Sequence, residues 1–233
     1  MTRTHLITGA GSGIGEALTS SLVDRGEEVV LLARSAERAD DLRAGFPGAM
    51  VLVGDLADPE SLEPLAASLP DRLDSLIHVA GVVELGPVAE LSASDLRNHL
   101  EVNLIGPAVL TKIALPALRS SGGLVVFVNS GAGLRAKSQW SAYAASKFGL
   151  RALADSLRDE ERDNGLRVTT VFPSRTATPM QEKVHGQEGK RYDAASWIRP
   201  QSVADTILHV LDLPVDATIP EVEVGVGPGH DLR

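Results

Sequence analysis

The chain contains no cysteine, so disulfide bonds, catalytic thiols and cysteine-ligated metal sites are excluded. This absence is compatible with a reducing compartment, in which disulfides are rare. Positive charge is also scarce: 22 Lys and Arg residues stand against 31 Asp and Glu residues, for a formal net charge of −9. Because nucleic acids and anionic membranes attract basic surfaces, we expect neither to be a partner of this protein.

Long apolar runs and a secretory leader are missing as well. No apolar run approaches the roughly 18 residues that a membrane span requires. The first residues, Met1-Thr2-Arg3-Thr4-His5, lack the apolar segment of a signal peptide. We therefore expect a cytoplasmic protein without a membrane partner. Its 233 residues suit one domain, residues 1–233, and no metal site is predicted.

What the chain does contain is a regular alternation of short apolar segments with longer helical patterns. The predicted strands are Thr4–Thr8, Glu28–Ala33, Met50–Val53, Ser75–Val79, Leu124–Asn129, Arg167–Phe172 and Glu221–Val226. The predicted helices are Ile14–Arg25, Ala36–Ala44, Pro59–Ser68, Ser94–Arg119, Ala142–Asp163 and Pro200–Leu211. Such alternation is typical of βαβ units. The predicted fold class is α/β: three layers, with a doubly wound parallel sheet of about seven strands and helices on both faces.

One segment, Pro173–Trp197, shows no clear periodicity. A loop of this length inside a compact domain is more often functional than a plain spacer. We therefore predict a lid over the site around residues 174–197.

A glycine-rich turn follows the first predicted strand and leads directly into a helix. Its sequence, Thr8-Gly9-Ala10-Gly11-Ser12-Gly13-Ile14-Gly15, fits the pattern T-G-x-x-x-G-x-G. Glycines allow a tight turn and a close backbone approach to a pyrophosphate at the positive end of a helix. The pattern resembles that of the short-chain dehydrogenase/reductase family, which has a Rossmann fold. The alternative is an ordinary glycine-rich turn.

The resemblance extends over nearly the whole chain, because further landmarks follow in the family's order. They are Asp55-Leu56 after the third strand, Ala80-Gly81 after the fourth, Asn103, Ser130, Tyr143-Ala144-Ala145-Ser146-Lys147, and Pro173-Ser174-Arg175-Thr176. The resemblance implies an oxidoreductase that moves a hydride between a nicotinamide cofactor and a carbonyl or alcohol carbon of a small molecule. The rival hypothesis, from another class, is a protein that senses NADP(H) without turnover.

The predicted catalytic residues are Asn103, Ser130, Tyr143 and Lys147. Tyr143 and Lys147 are four residues apart, so a helix presents both on one face. A tyrosine can serve as acid and base, and we expect the Lys147 cation to lower its pKa. By resemblance, Lys147 also binds the nicotinamide ribose, Ser130 holds the substrate oxygen, and Asn103 holds a water for proton transfer. The alternatives are a half-exposed helix face, a turn serine and a surface amide.

The cofactor is predicted to be NADP(H), with NAD(H) as the alternative. The acidic residue that holds free ribose hydroxyls is replaced by Ala33, and Arg34 follows it. An arginine suits a 2′-phosphate, although a solvated surface arginine is the other interpretation. The predicted cofactor-binding residues are Gly9, Ser12, Gly13, Ile14, Gly15, Arg34, Asp55, Leu56, Ala80, Gly81, Tyr143, Lys147, Pro173, Thr176 and Thr178.

Three residues depart from the family's pattern: His78 and Val79 replace two asparagines, and Ser174 replaces a glycine. We interpret His78 as a structural substitute rather than a titrating group. The chain end resembles that of bacterial 3-hydroxy acid and serine-type dehydrogenases, which suggests a substrate of that kind. In the lid, cations that could accept a carboxylate or phosphate are Lys183, His185, Lys190 and Arg191. The long helices of the resembled family pair across two-fold axes, so we expect a homodimer or homotetramer.

Overall fold

The computed structural model describes residues 2–228, whose strands form one seven-stranded sheet. All neighbouring strands are parallel, in the order β3-β2-β1-β4-β5-β6-β7. This is the doubly wound order of a Rossmann fold, so the predicted fold class is confirmed. The strands are β1 (Thr4–Thr8), β2 (Glu28–Ala33), β3 (Met50–Val53), β4 (Ser75–His78), β5 (Leu124–Val128), β6 (Arg167–Pro173) and β7 (Glu221–Val224).

The central strands are apolar throughout because helices cover both faces of the sheet. Neighbouring residues of one strand therefore enter different cores. Ile7 of β1 and Val126 of β5 belong to one buried cluster, the first core. Leu6 and Val125 belong to the second core, on the opposite face of the sheet. This alternation follows from the two-residue period of a strand.

Helices form the outer two layers. The first core is closed by α1 (Gly13–Asp24), α2 (Ala36–Gly45) and α7 (Pro200–Leu211). The second is closed by α4 (Gly106–Arg119), α5 (Ser141–Glu160) and a 3₁₀ helix over Pro59–Ser68. The other helices are α3 (Ala93–Leu100), α6 (Pro179–Gln187), a π-helix over Glu101–Ile105, and short 3₁₀ turns at Val88–Glu90, Gly131–Gly133, Arg162–Asn164 and Ala194–Ser196.

Three predicted elements differ from the structure. Pro59–Ser68 is a 3₁₀ rather than an α-helix, and it contains Pro64, which lacks the N–H that an α-helix requires. The single helix predicted over Ser94–Arg119 is α3, a π-helical turn and α4 in succession. The predicted lid segment is not a loop throughout, because it contains α6.

The composite helix over Ala93–Arg119 is the one described segment long and apolar enough to cross a membrane. Length and composition are weak evidence here, because core helices of soluble proteins pass the same test. In this structure Leu110, Ala114 and Leu118 of the segment are fully buried in the second core.

Candidate active site

The glycine turn lies between the end of β1 and the N-terminus of α1. Gly9 and Gly13 have positive φ angles of 74° and 56°, which favour glycine. A Cβ on Gly9 would lie 2.7 Å from the Ala80 backbone nitrogen, and one on Gly15 would lie 2.1 Å from the Gly9 carbonyl oxygen. The turn can therefore exist only without side chains at these positions.

Two features of this turn bear on ligand binding: its hydrogen bonds to the end of β4 and the uncapped N-terminus of α1. The hydroxyl oxygen of Thr8 accepts hydrogen bonds from the Val79 and Ala80 N–H groups, both at 3.1 Å, and so joins the turn to the end of β4. Ser12 is the N-cap residue of α1, but its side chain makes no capping hydrogen bond. The first turn of α1 thus keeps the positive end of a helix available to an anion.

Ser130 and Tyr143 meet at the carboxyl end of β5. Ser130 follows that strand, and its hydroxyl accepts a hydrogen bond from the Ala132 N–H at 3.1 Å. Tyr143 lies in the first turn of α5, is only 5% exposed, and has a hydrogen bond to the Ser130 side chain. Asn129 joins the end of β5 to α5, because its side-chain amide donates to the Lys147 carbonyl at 2.9 Å.

Lys147 lies one turn after Tyr143 on the same face of α5, as the spacing predicts. The residue is 3% exposed, and its ammonium group donates to the Val128 carbonyl at 3.1 Å and lies 5.8 Å from the centre of the Tyr143 ring. Burial disfavours the charged form, so the pKa of Lys147 falls to about 8.

The expected effect of Lys147 on Tyr143 is wrong for this structure. Burial raises the pKa of the Tyr143 phenol above its ordinary value, and the hydrogen bond to Ser130 opposes that shift. Desolvation is thus the larger effect on a phenol that is almost completely enclosed. The group that counters it is Ser130 rather than Lys147.

Asn103 lies in the π-helical turn between α3 and α4, and it is fully buried. Its side-chain oxygen accepts from the Val82 N–H at 2.8 Å, while its amide donates to the Val82 carbonyl at 2.9 Å and to the Ser146 hydroxyl at 3.0 Å. These bonds join the segment after β4 to α5. A Cβ on Gly81 would lie 3.1 Å from the Asn103 oxygen and 3.7 Å from the Lys147 nitrogen, so Gly81 keeps the space beside both groups open.

His78 occupies the end of β4 in the interior. Its ring stacks on Phe127 with centroids 4.9 Å apart, and its Nε2 is hydrogen-bonded to the Thr111 hydroxyl at 2.9 Å. Burial, together with the nearby Lys147 charge, lowers the pKa of His78 to about 3. The ring is therefore neutral at physiological pH, which agrees with the structural interpretation of this departure.

The opposite wall of the site comes from β6 and the predicted lid. Pro173 ends β6, Thr176 follows it, and Thr178 is the N-cap of α6, where its hydroxyl accepts from the Gln181 N–H at 3.2 Å. A Cβ on Gly13 would lie 2.8 Å from the Thr178 methyl group, so the start of α6 touches the glycine turn. The side chain added by Ser174 is accommodated because this residue is exposed.

One cavity of about 700 Å³ brings most of the predicted residues together. Predicted residues that line it are Gly9, Ser12, Gly13, Ile14, Ala80, Gly81, Ser130, Tyr143, Lys147, Pro173, Thr176 and Thr178. Those that do not line it are Gly15, Arg34, Asp55, Leu56 and Asn103. Lining residues that the sequence analysis did not predict include Val83, Arg135, Lys137, Trp140 and Glu223.

The residues predicted for the adenosine half lie outside this cavity. Asp55 accepts from the Ala57 N–H at 2.9 Å, and Leu56 is buried. Arg34 is exposed after β2. A residue that the sequence analysis missed is Arg38 of α2, whose guanidinium lies 2.8 Å from the position of a Cβ on Gly11. Its position in the first turn of the helix that follows Arg34 was the signal that could have identified it.

Comparison with known proteins adds independent information. A family profile described as short chain dehydrogenase matches residues 3–189. The bovine (Bos taurus) L-fucose dehydrogenase is 32% identical over 183 residues, which cover 77% of this chain and 68% of that protein. The D-threitol dehydrogenase of Mycolicibacterium smegmatis is 33% identical over 203 residues, or 84% of this chain and 77% of that protein. A closed serine dehydrogenase solved with NADP+ superposes with a TM-score of 0.85 at 25% identity, covering 95% of each chain.

Proposed function

The chain belongs to the short-chain dehydrogenase family, whose members act as oxidoreductases on alcohol and carbonyl groups, and we propose that it uses NADP(H) on a small polar substrate. The observation that carries the proposal is one cavity lined by the glycine turn, Ser130, Tyr143 and Lys147. A nucleotide sensor without turnover is not favoured, because the relatives are named as dehydrogenases and the acid/base pair is present.

The reaction divides into a hydride transfer and a proton transfer. When bound, NADP(H) accepts or supplies the hydride, which leaves the alcohol carbon with the electron pair of its C–H bond. In the oxidation direction the alcohol proton passes to the Tyr143 phenolate, and in reduction the Tyr143 phenol returns it to the carbonyl oxygen. The two transfers balance, because the alcohol loses one hydride and one proton.

The neighbours of Tyr143 have separate roles in this mechanism. Ser130 is hydrogen-bonded to Tyr143, so its hydroxyl is placed to hold the same substrate oxygen and stabilise charge on it. Lys147 supplies a nearby positive charge and binds the nicotinamide ribose. A water beside Asn103 is the proposed exit for the proton, since Gly81 leaves space next to both Asn103 and Lys147.

The glycine turn fits a dinucleotide. Side chains at Gly9 and Gly15 would collide with the backbone, and the N-terminus of α1 is left without a side-chain cap. We infer that the pyrophosphate binds there, next to Thr178. Gly13, Ile14, Ala80, Pro173 and Thr176 contribute the cofactor's remaining contacts in the cavity, and Asp55 and Leu56 contribute those near the adenine.

Two arginines support NADP(H) over NAD(H). Arg34 is exposed and makes no hydrogen bond or ion pair with any residue in the range 2–228, so its guanidinium is available to a 2′-phosphate. Arg38 lies beside Gly11 and supplies a second cation at the same edge, although it also pairs with Asp41 at 2.7 Å. A carboxylate is absent from the end of β2, where Ala33 stands.

The segment 174–197 acts as a substrate lid. Met180, Gln181 and Val184 of α6 line the cavity. The lid is held to the loop after β4 by Glu84, which pairs with Lys183 at 2.6 Å and accepts from the Gln187 amide. Exposed pairs of this kind contribute little, about 0–1 kcal/mol, so the lid is held mainly by the buried contact of Val184 with Val83 and Tyr143.

The substrate is proposed to be a small hydroxylated molecule, with 3-hydroxy acids and serine as the first candidates. The names of the relatives favour polar substrates, since they include a sugar, a polyol and an amino acid dehydrogenase. We also propose that the protein is cytoplasmic and forms a homodimer or homotetramer. The assembly is supported by the apolar side chains of Ile105 and Phe148, which are 44% and 43% exposed beside the long helices.

The test is a panel of alcohols, carbonyl compounds and hydroxy acids assayed with NADP(H) by nicotinamide absorbance. Wild type should turn over at least one member, and Tyr143→Phe should lower turnover by about two orders of magnitude because the proton carrier is lost. Cofactor binding should change little in this variant. Equal turnover in wild type and Tyr143→Phe would refute the proposed acid/base role.

A further inference from the structure

Part of the cavity wall comes from residues 131–140, in the loop between β5 and α5. Ala132, Leu134 and Trp140 give this wall its apolar part. Arg135 and Lys137 line the same cavity, although neither takes part in the proposed proton transfer. The presence of two cations at the cavity therefore requires another explanation.

These two cations lack partners in the protein. Most basic side chains are paired with carboxylates, as expected for a chain of net charge −9. Within residues 2–228, the basic side chains that make neither a hydrogen bond nor an ion pair are Arg34, Arg97, Arg135, Lys137, Arg191 and Arg199. Only Arg135 and Lys137 of that group line the cavity.

Three of the four lid cations predicted from the sequence are engaged elsewhere, and the fourth, Arg191, does not line the cavity. Lys183 pairs with Glu84 at 2.6 Å, and Lys190 pairs with Glu188 at 3.2 Å. His185 is buried against Tyr192 and Trp197. None of these three is available to a substrate anion in the closed arrangement.

The backbone holds Arg135 and Lys137 in place even though their side chains are exposed. The Arg135 N–H donates to the Gly131 carbonyl at 3.1 Å, and the Lys137 carbonyl accepts from the Trp140 N–H at 3.2 Å. The Gln139 carbonyl in turn accepts from the Gly86 N–H at 2.9 Å. Gln139 itself has a φ of 69°, a costly conformation for a residue with a side chain, which these contacts maintain.

The remaining charges at the cavity leave it positive. Arg175 lines it but is paired with Glu188 at 2.5 Å, and Lys147 is assigned to the acid/base group. Glu223 is the one carboxylate among the lining residues that the structure describes. Two unpaired cations thus face a single negative side chain.

We propose that Arg135 and Lys137 form a subsite for an anionic group, a carboxylate or phosphate, on the substrate. The inference rests on the proposed function and deepens it, because it makes the substrate a small hydroxy or oxo acid or a phosphate ester. Ser130 and Tyr143 hold the reacting oxygen while the anion lies toward the loop. Arginine offers a planar donor pair to either group, and Lys137 adds a point charge.

The test compares anionic alcohols with neutral counterparts of the same carbon skeleton. The first pair is 3-hydroxybutyrate and its methyl ester, and the second is glycerol 3-phosphate and glycerol, each with NADP+. Wild type should prefer the anion of at least one pair by about tenfold or more in kcat/KM. Which pair shows the preference distinguishes a carboxylate from a phosphate.

Substitutions assign that preference to residues. Arg135→Gln and Lys137→Gln should each lower kcat/KM for the anion roughly three- to tenfold and leave the neutral counterpart unchanged. Arg199→Gln is the matched control, because Arg199 is an exposed, unpaired cation outside the cavity. It should change neither value.

The outcomes distinguish a failure of the anion subsite from a failure of the proposed function. Turnover of neutral alcohols without a preference for either anion overturns the subsite and leaves the proposed function standing. A preference that survives in a variant carrying both Arg135→Gln and Lys137→Gln has the same consequence. No turnover of any alcohol or carbonyl compound overturns the proposed function and with it the subsite. A preference lost equally in Arg199→Gln indicates the overall charge rather than a subsite, and also overturns the inference.

Discussion

His78 gives the sharpest stability prediction, because a buried neutral histidine makes folding dependent on pH. The folded-state pKa is about 3, whereas the unfolded chain has the ordinary value of about 6.5. The folded state therefore binds fewer protons than the unfolded state between these values. Stability must fall as the pH is lowered through 6.5, and the loss continues until the pH reaches the folded pKa.

The size of the effect can be worked out from the two pKa values. Between pH 7.5 and pH 5, protonation of one histidine in the unfolded state stabilises that state by about 2 kcal/mol. This number barely changes if the folded pKa is a unit higher, since the folded ring is still neutral at pH 5. His78→Asn removes the titrating ring and should remove this part of the pH dependence.

The experiment is urea unfolding at several pH values between 5 and 7.5, followed by tryptophan fluorescence. At pH 7.5 we expect His78→Asn to be less stable than wild type, because the stacking on Phe127 is lost. The difference in unfolding free energy between wild type and His78→Asn should be about 2 kcal/mol smaller at pH 5 than at pH 7.5. His5, whose pKa is also lowered by burial, contributes equally to both proteins and cancels.

A difference that stays constant from pH 7.5 to pH 5 would refute this reasoning. His209→Asn is the control, because His209 is exposed on α7. Its unfolding free energy should follow the wild-type pH dependence. A His209 variant that reproduced the His78 result would show that burial is not the cause.

Three further predictions concern the site. Lys147→Ala should lower turnover and also weaken NADPH binding in a fluorescence titration, because the ammonium group supplies a positive charge near Tyr143 and binds the nicotinamide ribose. Unaltered cofactor affinity would contradict the ribose contact. Arg34→Ala and Arg38→Ala should each lower kcat/KM for NADPH by roughly one to two orders of magnitude and leave NADH nearly unchanged, since a charge-assisted bond contributes about 1.5–3 kcal/mol. Arg43→Ala is the control, because Arg43 lies in the last turn of α2 whereas Arg38 lies beside the glycine turn. A cofactor ratio indifferent to Arg34 and Arg38 would argue against NADP(H) selection. Glu84→Ala should raise KM about two- to fivefold through a looser lid, whereas Glu63→Ala, which breaks the exposed pair with Lys112, should not. Equal KM values in both variants would show that Glu84 does not hold the lid in place.

Local sequence was sufficient for several parts of the site. The glycine turn could be predicted because its requirements, positive φ angles and missing side chains, are properties of the residues themselves. The Tyr143–Lys147 pair could be predicted because four residues make about one helical turn. The position of the glycine turn after β1 followed from the alternation of strands and helices.

Other features could not be read from local sequence. The π-helical turn around Asn103 interrupts a segment whose apolar pattern predicts one continuous helix. Asn103 is held by Val82 and Ser146, which are 21 and 43 residues away in the chain. No nearby pattern encodes such partners, so their effect emerges only when the chain is folded.

The sequence by itself thus determined the sheet and the glycine turn, and it predicted Tyr143 and Lys147 as the acid/base pair. Only the tertiary structure decided the electrostatics of that group and the charges around it. Burial raises the pKa of Tyr143 against the direction that its lysine neighbour predicts. Lys183 is neutralised by Glu84, 99 residues away, whereas Arg135 and Lys137 are left unpaired at the cavity. The reason is physical: a charge depends on solvent exposure and on neighbours in space, and the fold sets both.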